Sequence, residues 1–76
     1  MKERIISCIK KVVNVDVSIE ENVDIKTYGI DSLLKVQLVI ALEDEFSITF
    51  NDDDINQSNF ENIATICALL ETYNVQ

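Results

Sequence analysis

Apolar residues recur along this chain in blocks with different periods. Ile5, Cys8, Ile9 and Val12 fall at helical spacing, which predicts a helix from about Lys2 to Val13. The clearest helical pattern runs from Leu33 to Phe46. Leu38, Leu42 and Phe46 form one stripe at i, i+4 and i+8, flanked by Leu34 and Ala41. Leu33, Val36 and Ile40 form a second stripe, which a small bundle need not bury. Further on, Ser58-Asn59-Phe60-Glu61 fits a capping box. Phe60, Ile63, Ala64, Cys67 and Leu70 then continue at helical spacing to about Thr72.

Between these blocks the pattern changes. Val15, Val17 and Ile19 alternate with polar residues, and Val23 and Ile25 alternate again. Alternation argues for strands, yet no Asn-Gly or Asp-Gly turn joins the two runs. Residues 15–30 are therefore either a hairpin or a long loop pinned by its own apolar side chains; long ordered loops tend to be functional. Ser47 to Phe50 alternates too briefly to define a strand, and Asp52 can cap a short helical turn through Asn56. Glu43-Asp44-Glu45 place acid at the C-terminal end of the central helix. That is the unfavourable end for the helix dipole, which hints at a use for the charge.

A length of 76 residues, with 47% apolar and no Pro, fits one domain over residues 1–76. Six basic and fourteen acidic residues give a formal net charge of −8, which argues against binding to DNA or RNA. The acidity either keeps the protein soluble or attracts enzymes with basic docking surfaces. No apolar run is long enough to enter a bilayer as a span, and the N-terminus has no secretory pattern, so a cytoplasmic protein is expected. Cys8 and Cys67 lie far apart in apolar segments, with no His anywhere. Two soft ligands do not make a zinc site, and both are expected to be reduced core residues. No metal is expected.

One serine stands out. Ser32 follows the chain's single glycine in Tyr28-Gly29-Ile30-Asp31-Ser32-Leu33, just before the strongest helix. Glycine permits a bend there that other residues resist. A phosphate carried on Ser32 would meet free N–H groups and the positive end of the helix dipole. The alternative is that Asp31 or Ser32 is simply an N-cap. With no His, the chain offers no evident base to activate Ser32 for catalysis of its own. Asp52-Asp53-Asp54 invite a calcium-loop reading, but Gln57 and Ile63 stand where that loop needs Gly and Glu.

Gly29-Ile30-Asp31-Ser32-Leu33, continued through Val36, Leu38, Val39 and Ala41 to Phe46, resembles the attachment motif and second helix of the acyl carrier and peptidyl carrier protein family. The resemblance covers nearly the whole chain. It implies an all-α four-helix bundle with a long first loop over residues 15–30 and a short third helix near Asp52 to Asn56. It implies that the protein is a carrier and not an enzyme. Ser32 would bear 4'-phosphopantetheine, taken from coenzyme A by a phosphopantetheinyl transferase. The arm would hold acyl or aminoacyl groups as thioesters for loading and elongation enzymes. Asp31 matches a residue that contacts the transferase's magnesium. Leu33, Val36 and Ile40 match docking positions, with Glu43 and Asp44 in an acidic rim, and the expected state is monomeric.

Two departures from the family pattern bear on pathway. Leu34 and Gln37 stand where fatty-acid carriers usually bear acids, with Lys35 between them, and the usual Pro after the second helix is missing. Both favour a carrier for polyketide, nonribosomal-peptide or other specialised biosynthesis. The alternatives are a fatty-acid carrier or a small helical interaction protein with an unmodified Ser32.

Overall fold

The computed structural model describes residues 1–14 and 18–75. Three α-helices carry the fold: α1 (Lys2–Val13), α2 (Ser32–Phe46) and α3 (Ile63–Glu71). Short 3-10 turns occupy Ile25–Tyr28 and Asp52–Asp54, and there is no strand among the described residues. No described helix is long and apolar enough to cross a membrane.

α1 packs against both α2 and α3. Its buried face is Ile5, Cys8 and Ile9, matching the periodicity. Leu38, Leu42 and Phe46 are buried on α2, as their stripe requires, together with Val39. Ile63, Ile66, Leu69 and Leu70 complete the core from α3. Burial pushes the Cys8 thiol above its usual range, and its Sγ lies 3.7 Å from the Ala41 carbonyl oxygen. Cys67 is half-buried beside Met1, and both cysteines are free thiols.

The long segment before α2 is a loop, not a hairpin. Ile19, Ile25 and Ile30 are buried in the core, while Val15 and Val17 lie outside the described residues. Backbone bonds tie the loop down. Ile25 N–H donates to Glu61 O at 2.9 Å, and Ala64 N–H donates to Glu21 O at 3.0 Å. Glu20 N–H donates to the Tyr28 hydroxyl at 3.0 Å, and Lys2 pairs with Glu21. The described part of the loop thus buries Ile19, Ile25 and Ile30 while its backbone groups bond to α3, to Glu61 just before it and to Tyr28.

The expected short third helix over Asp52 to Asn56 is reduced to the 3-10 turn Asp52–Asp54, so the described residues contain three α-helices, not four. None of the three aspartates is buried, and a segment without an apolar face has little to hold it in a longer helix. The expected capping box at Ser58 and Glu61 is also absent. Asn56 Nδ2 donates to Asp53 O, Asn59 Nδ2 donates to Asp54 O, and Asn59 N–H donates to Asn56 Oδ1. Such side-chain bonds offer the backbone an alternative to helix. α3 starts later, where Asn62 and Thr65 form a reciprocal capping box.

Two of the three acids at the end of α2, Glu43 and Glu45, have tertiary partners. Glu45 pairs with Arg4 at 2.8 Å, and Arg4 Nη2 donates to the Glu45 carbonyl oxygen at 2.9 Å. The Arg4 guanidinium also lies 4.2 Å from the centre of the Phe46 ring. A cation from α1 therefore sits at the negative end of the α2 dipole. The Glu43 carboxylate accepts the Phe50 N–H at 2.8 Å, fixing the exit from the helix.

The C-terminal end is latched by Tyr73. Its ring meets Phe50 edge-on at 5.3 Å. Its hydroxyl donates to Asp54 and accepts the Asn51 N–H. The bond to Asp54 raises the Tyr73 pKa above the ordinary phenol value of 10.0. A folded-state pKa above the unfolded one gives stability that is present below that value and lost as pH rises through the folded pKa. The melting temperature is therefore expected to fall above pH about 10, more steeply than in Tyr73→Phe. Parallel melting curves of the two proteins against pH would contradict this.

Candidate functional site

The start of α2 is built by the four residues before it. Gly29 has φ 95 and closes the Ile25–Tyr28 turn, with its N–H donating to the Lys26 and Ile25 carbonyls. Ile30 N–H also reaches the Ile25 carbonyl, and the Ile30 side chain is buried. This resembles the turn that commonly terminates helices, with glycine in the left-handed position. A Cβ at Gly29 would meet nothing within 4 Å, so backbone conformation, not space, explains the glycine.

Asp31 is extended, and its carboxylate accepts the Leu34 N–H at 2.9 Å. It is the N-cap of α2. Ser32 is the first helical residue and is exposed. Because Asp31 supplies the cap, the Ser32 hydroxyl is not needed for it. The site thus offers a primary alcohol on a rigid helix end, beside N–H groups that favour a nearby anion.

Capping by Asp31 can be separated from its charge. Asp31→Asn keeps a good capping side chain but removes the charge. Asp31→Ala removes both, at a cost of about 1 kcal/mol. If Asp31 also contacts the transferase's magnesium, Asp31→Asn should melt close to wild type yet be modified much more slowly. Wild-type modification rates in Asp31→Asn would limit the residue to capping.

Leu33, Val36 and Ile40 are exposed on α2 and share one face by helical spacing. Asp44 lies one turn beyond Ile40 and is exposed. Glu43 is half-buried, with its carboxylate on Phe50 N–H. Gln37 is exposed, while Leu34 and Lys35 are half-buried. Besides Met1 at the start of the chain, Ile55 is also exposed, just after the Asp52–Asp54 turn. It stands alone in a polar run, so no periodicity marks it. Among the described residues no cluster of His, Cys, Asp and Glu is arranged to hold a metal ion. Two shallow surface clefts, on the outer side of α1 and beside α3, are lined by other residues than these.

Comparison with known proteins places these features in context. The family model described as "Phosphopantetheine attachment site" matches residues 3–70. A crystal structure of an engineered Bradyrhizobium japonicum glycine:[carrier protein] ligase, complexed with carrier protein from Agrobacterium tumefaciens and AMP, contains a similar chain. The TM-score is 0.84 at 26% identity, covering 93% of this chain and 99% of that one. A putative acyl carrier protein from Mycobacterium tuberculosis matches with TM-score 0.81 at 27% identity, covering 95% of this chain and 96% of that one. No curated protein sequence matches. The three-helix architecture with its long first loop is the fold of these carrier chains.

Proposed function

The chain belongs to the phosphopantetheine attachment site family, and from that premise we propose that Ser32 bears the arm and that the cargo serves specialised biosynthesis. The protein is a carrier and not an enzyme, and its cofactor is 4'-phosphopantetheine. The observation that carries the Ser32 assignment is the division of labour at the start of α2. Asp31 does the capping, so the neighbouring exposed hydroxyl is available for a phosphodiester. A phosphopantetheinyl transferase forms that bond, transferring the phosphopantetheinyl group from coenzyme A to Ser32 Oγ with release of adenosine 3',5'-bisphosphate. Acyl or aminoacyl groups then ride as thioesters on the arm. Loading and elongation enzymes dock along Leu33, Val36 and Ile40, near Glu43 and Asp44.

The pathway reading rests on the uncharged Leu34 and Gln37. It is supported by a similar chain that occurs in complex with a glycine:[carrier protein] ligase. An aminoacyl or specialised acyl cargo fits both observations. The test is a side-by-side loading assay of the phosphopantetheinylated protein with amino-acid-activating ligases and with fatty-acid synthesis enzymes. Faster loading by the ligases is expected. Equal or better turnover with the fatty-acid set would overturn the pathway while leaving the carrier assignment intact.

A further inference from the structure

Lys35 places a cation near the positive end of the α2 dipole. It is the fourth residue of the helix, where a positive charge costs stability. Among the described residues no acid compensates it. Asp31 stands four residues earlier, a spacing at which acid and base pair on a helix surface, but its carboxylate accepts the Leu34 N–H at 2.9 Å. The Lys35 ammonium makes no hydrogen bond or ion pair among the described residues. Lys2 and Arg4, by contrast, are paired with Glu21 and Glu45.

Lys35 follows Ser32 by three residues, so the two are neighbours on the helix surface, with Cβ atoms about 5–6 Å apart. Cα–Cβ bonds in a helix tilt toward its N-terminus, so the Lys35 side chain covers the turn that begins with Ser32. Lys35 is half-buried. It continues the line of Val39 and Leu42, which are buried four and seven residues further on. Its stem therefore runs along the edge of the core, and its ammonium reaches out past it. At about 100° per residue, Lys35 falls on one side of Ser32 and Leu33 on the other. An anion on Ser32 Oγ would lie within reach of Lys35 and beside the free N–H groups of the same helix end.

We infer, resting on Ser32 as the attachment site, that Lys35 is a positioning residue for the arm. Its ammonium pairs with the phosphodiester on Ser32 Oγ and draws the arm to the Val39 side of α2. That leaves the face of Leu33, Val36 and Ile40 uncovered. The pair also compensates a charge that the unmodified fold leaves alone, so modification stabilises the folded chain. Part of that gain comes from the helix dipole, which favours any anion at its N-terminus. The remainder depends on Lys35.

The test compares melting temperatures of full chains before and after phosphopantetheinylation. Intact mass and peptide mapping check the group and its position, and the phosphorus NMR resonance of each modified protein is recorded. Modification should raise the melting temperature of wild type more than that of Lys35→Gln, by about 2–4 °C at low salt. The excess should shrink at about 500 mM NaCl. Lys35→Arg should keep it, since a guanidinium also pairs with phosphate. Lys11→Gln removes the same charge from an exposed position on α1 and should gain as wild type does. The phosphorus resonance should move in Lys35→Gln and stay in place in Lys11→Gln. Equal gains in wild type and Lys35→Gln, or a resonance unmoved by Lys35→Gln, would overturn the inference and leave Ser32 as the attachment site. An excess lost equally in Lys11→Gln would also overturn it, because net charge would then be the cause. No added mass on wild type, or a group mapped to another residue, would remove the attachment reading itself and this inference with it.

Discussion

Phe46→Ala is expected to cost about 3–5 kcal/mol of stability, a large share of the roughly 5–15 kcal/mol that holds a domain together. Phe46 closes the buried stripe of α2 and is only 7% exposed. Truncation removes its apolar burial and leaves a cavity between α1 and α2. It also removes the surface on which the Arg4 guanidinium rests. Arg4 would keep its bond to Glu45, but in a wetter setting where an ion pair contributes less. Phe46→Leu retains most of the apolar volume and should lose less. Urea titrations of the three proteins check this. An unfolding midpoint for Phe46→Ala equal to wild type would mean that the ring is not part of the core.

Much of this fold is legible from spacing alone. The α1 pattern gives Lys2–Val13, the bounds observed, because a short amphipathic helix has one buried face and no competing signal. On α2 the two apolar stripes separate correctly into Leu38, Leu42 and Phe46, which are buried, and Leu33, Val36 and Ile40, which are not. Periodicity cannot say which stripe meets the core; the continuation to Phe46 at the helix end decides it.

Elsewhere local signals mislead. Ser58 and Glu61 have the spacing of a capping box, and Phe60 fits the period of Ile63 and Leu70. Yet Phe60 is buried from a turn, stacked edge-on against Phe50 at 5.5 Å. The backbone around it is taken by Asn56 and Asn59. The helix waits for Asn62, whose partner Thr65 lies outside the usual Ser-x-x-Glu pattern. Glu43 and Glu45 read as a cost because their partners lie outside the helix. Arg4 is 41 residues from Glu45, and no local rule finds such a pair. At the site itself, the open question was whether Asp31 or Ser32 caps α2. Both residue types cap well, and only the geometry assigns that role to Asp31.

The second large effect is on modification. Ser32→Ala should leave the fold intact, because Ser32 is exposed and the cap beside it is Asp31. Alanine is also at least as good as serine within a helix. The same change should abolish phosphopantetheine attachment, since the nucleophilic oxygen is gone. Other serines do not share the setting. Ser7 lies within α1, Ser18 is exposed in the loop before α2, Ser47 ends α2 with φ 55, and Ser58 sits in a turn. None stands at the first position of a helix behind an aspartate cap. The most direct measurement is intact mass, with peptide mapping, after incubation with coenzyme A and a broad-specificity transferase. One phosphopantetheinyl group on wild type, located at Ser32, and none on a folded Ser32→Ala is the expected result. Attachment to Ser32→Ala, or mapping of the group to another residue of wild type, would contradict the account.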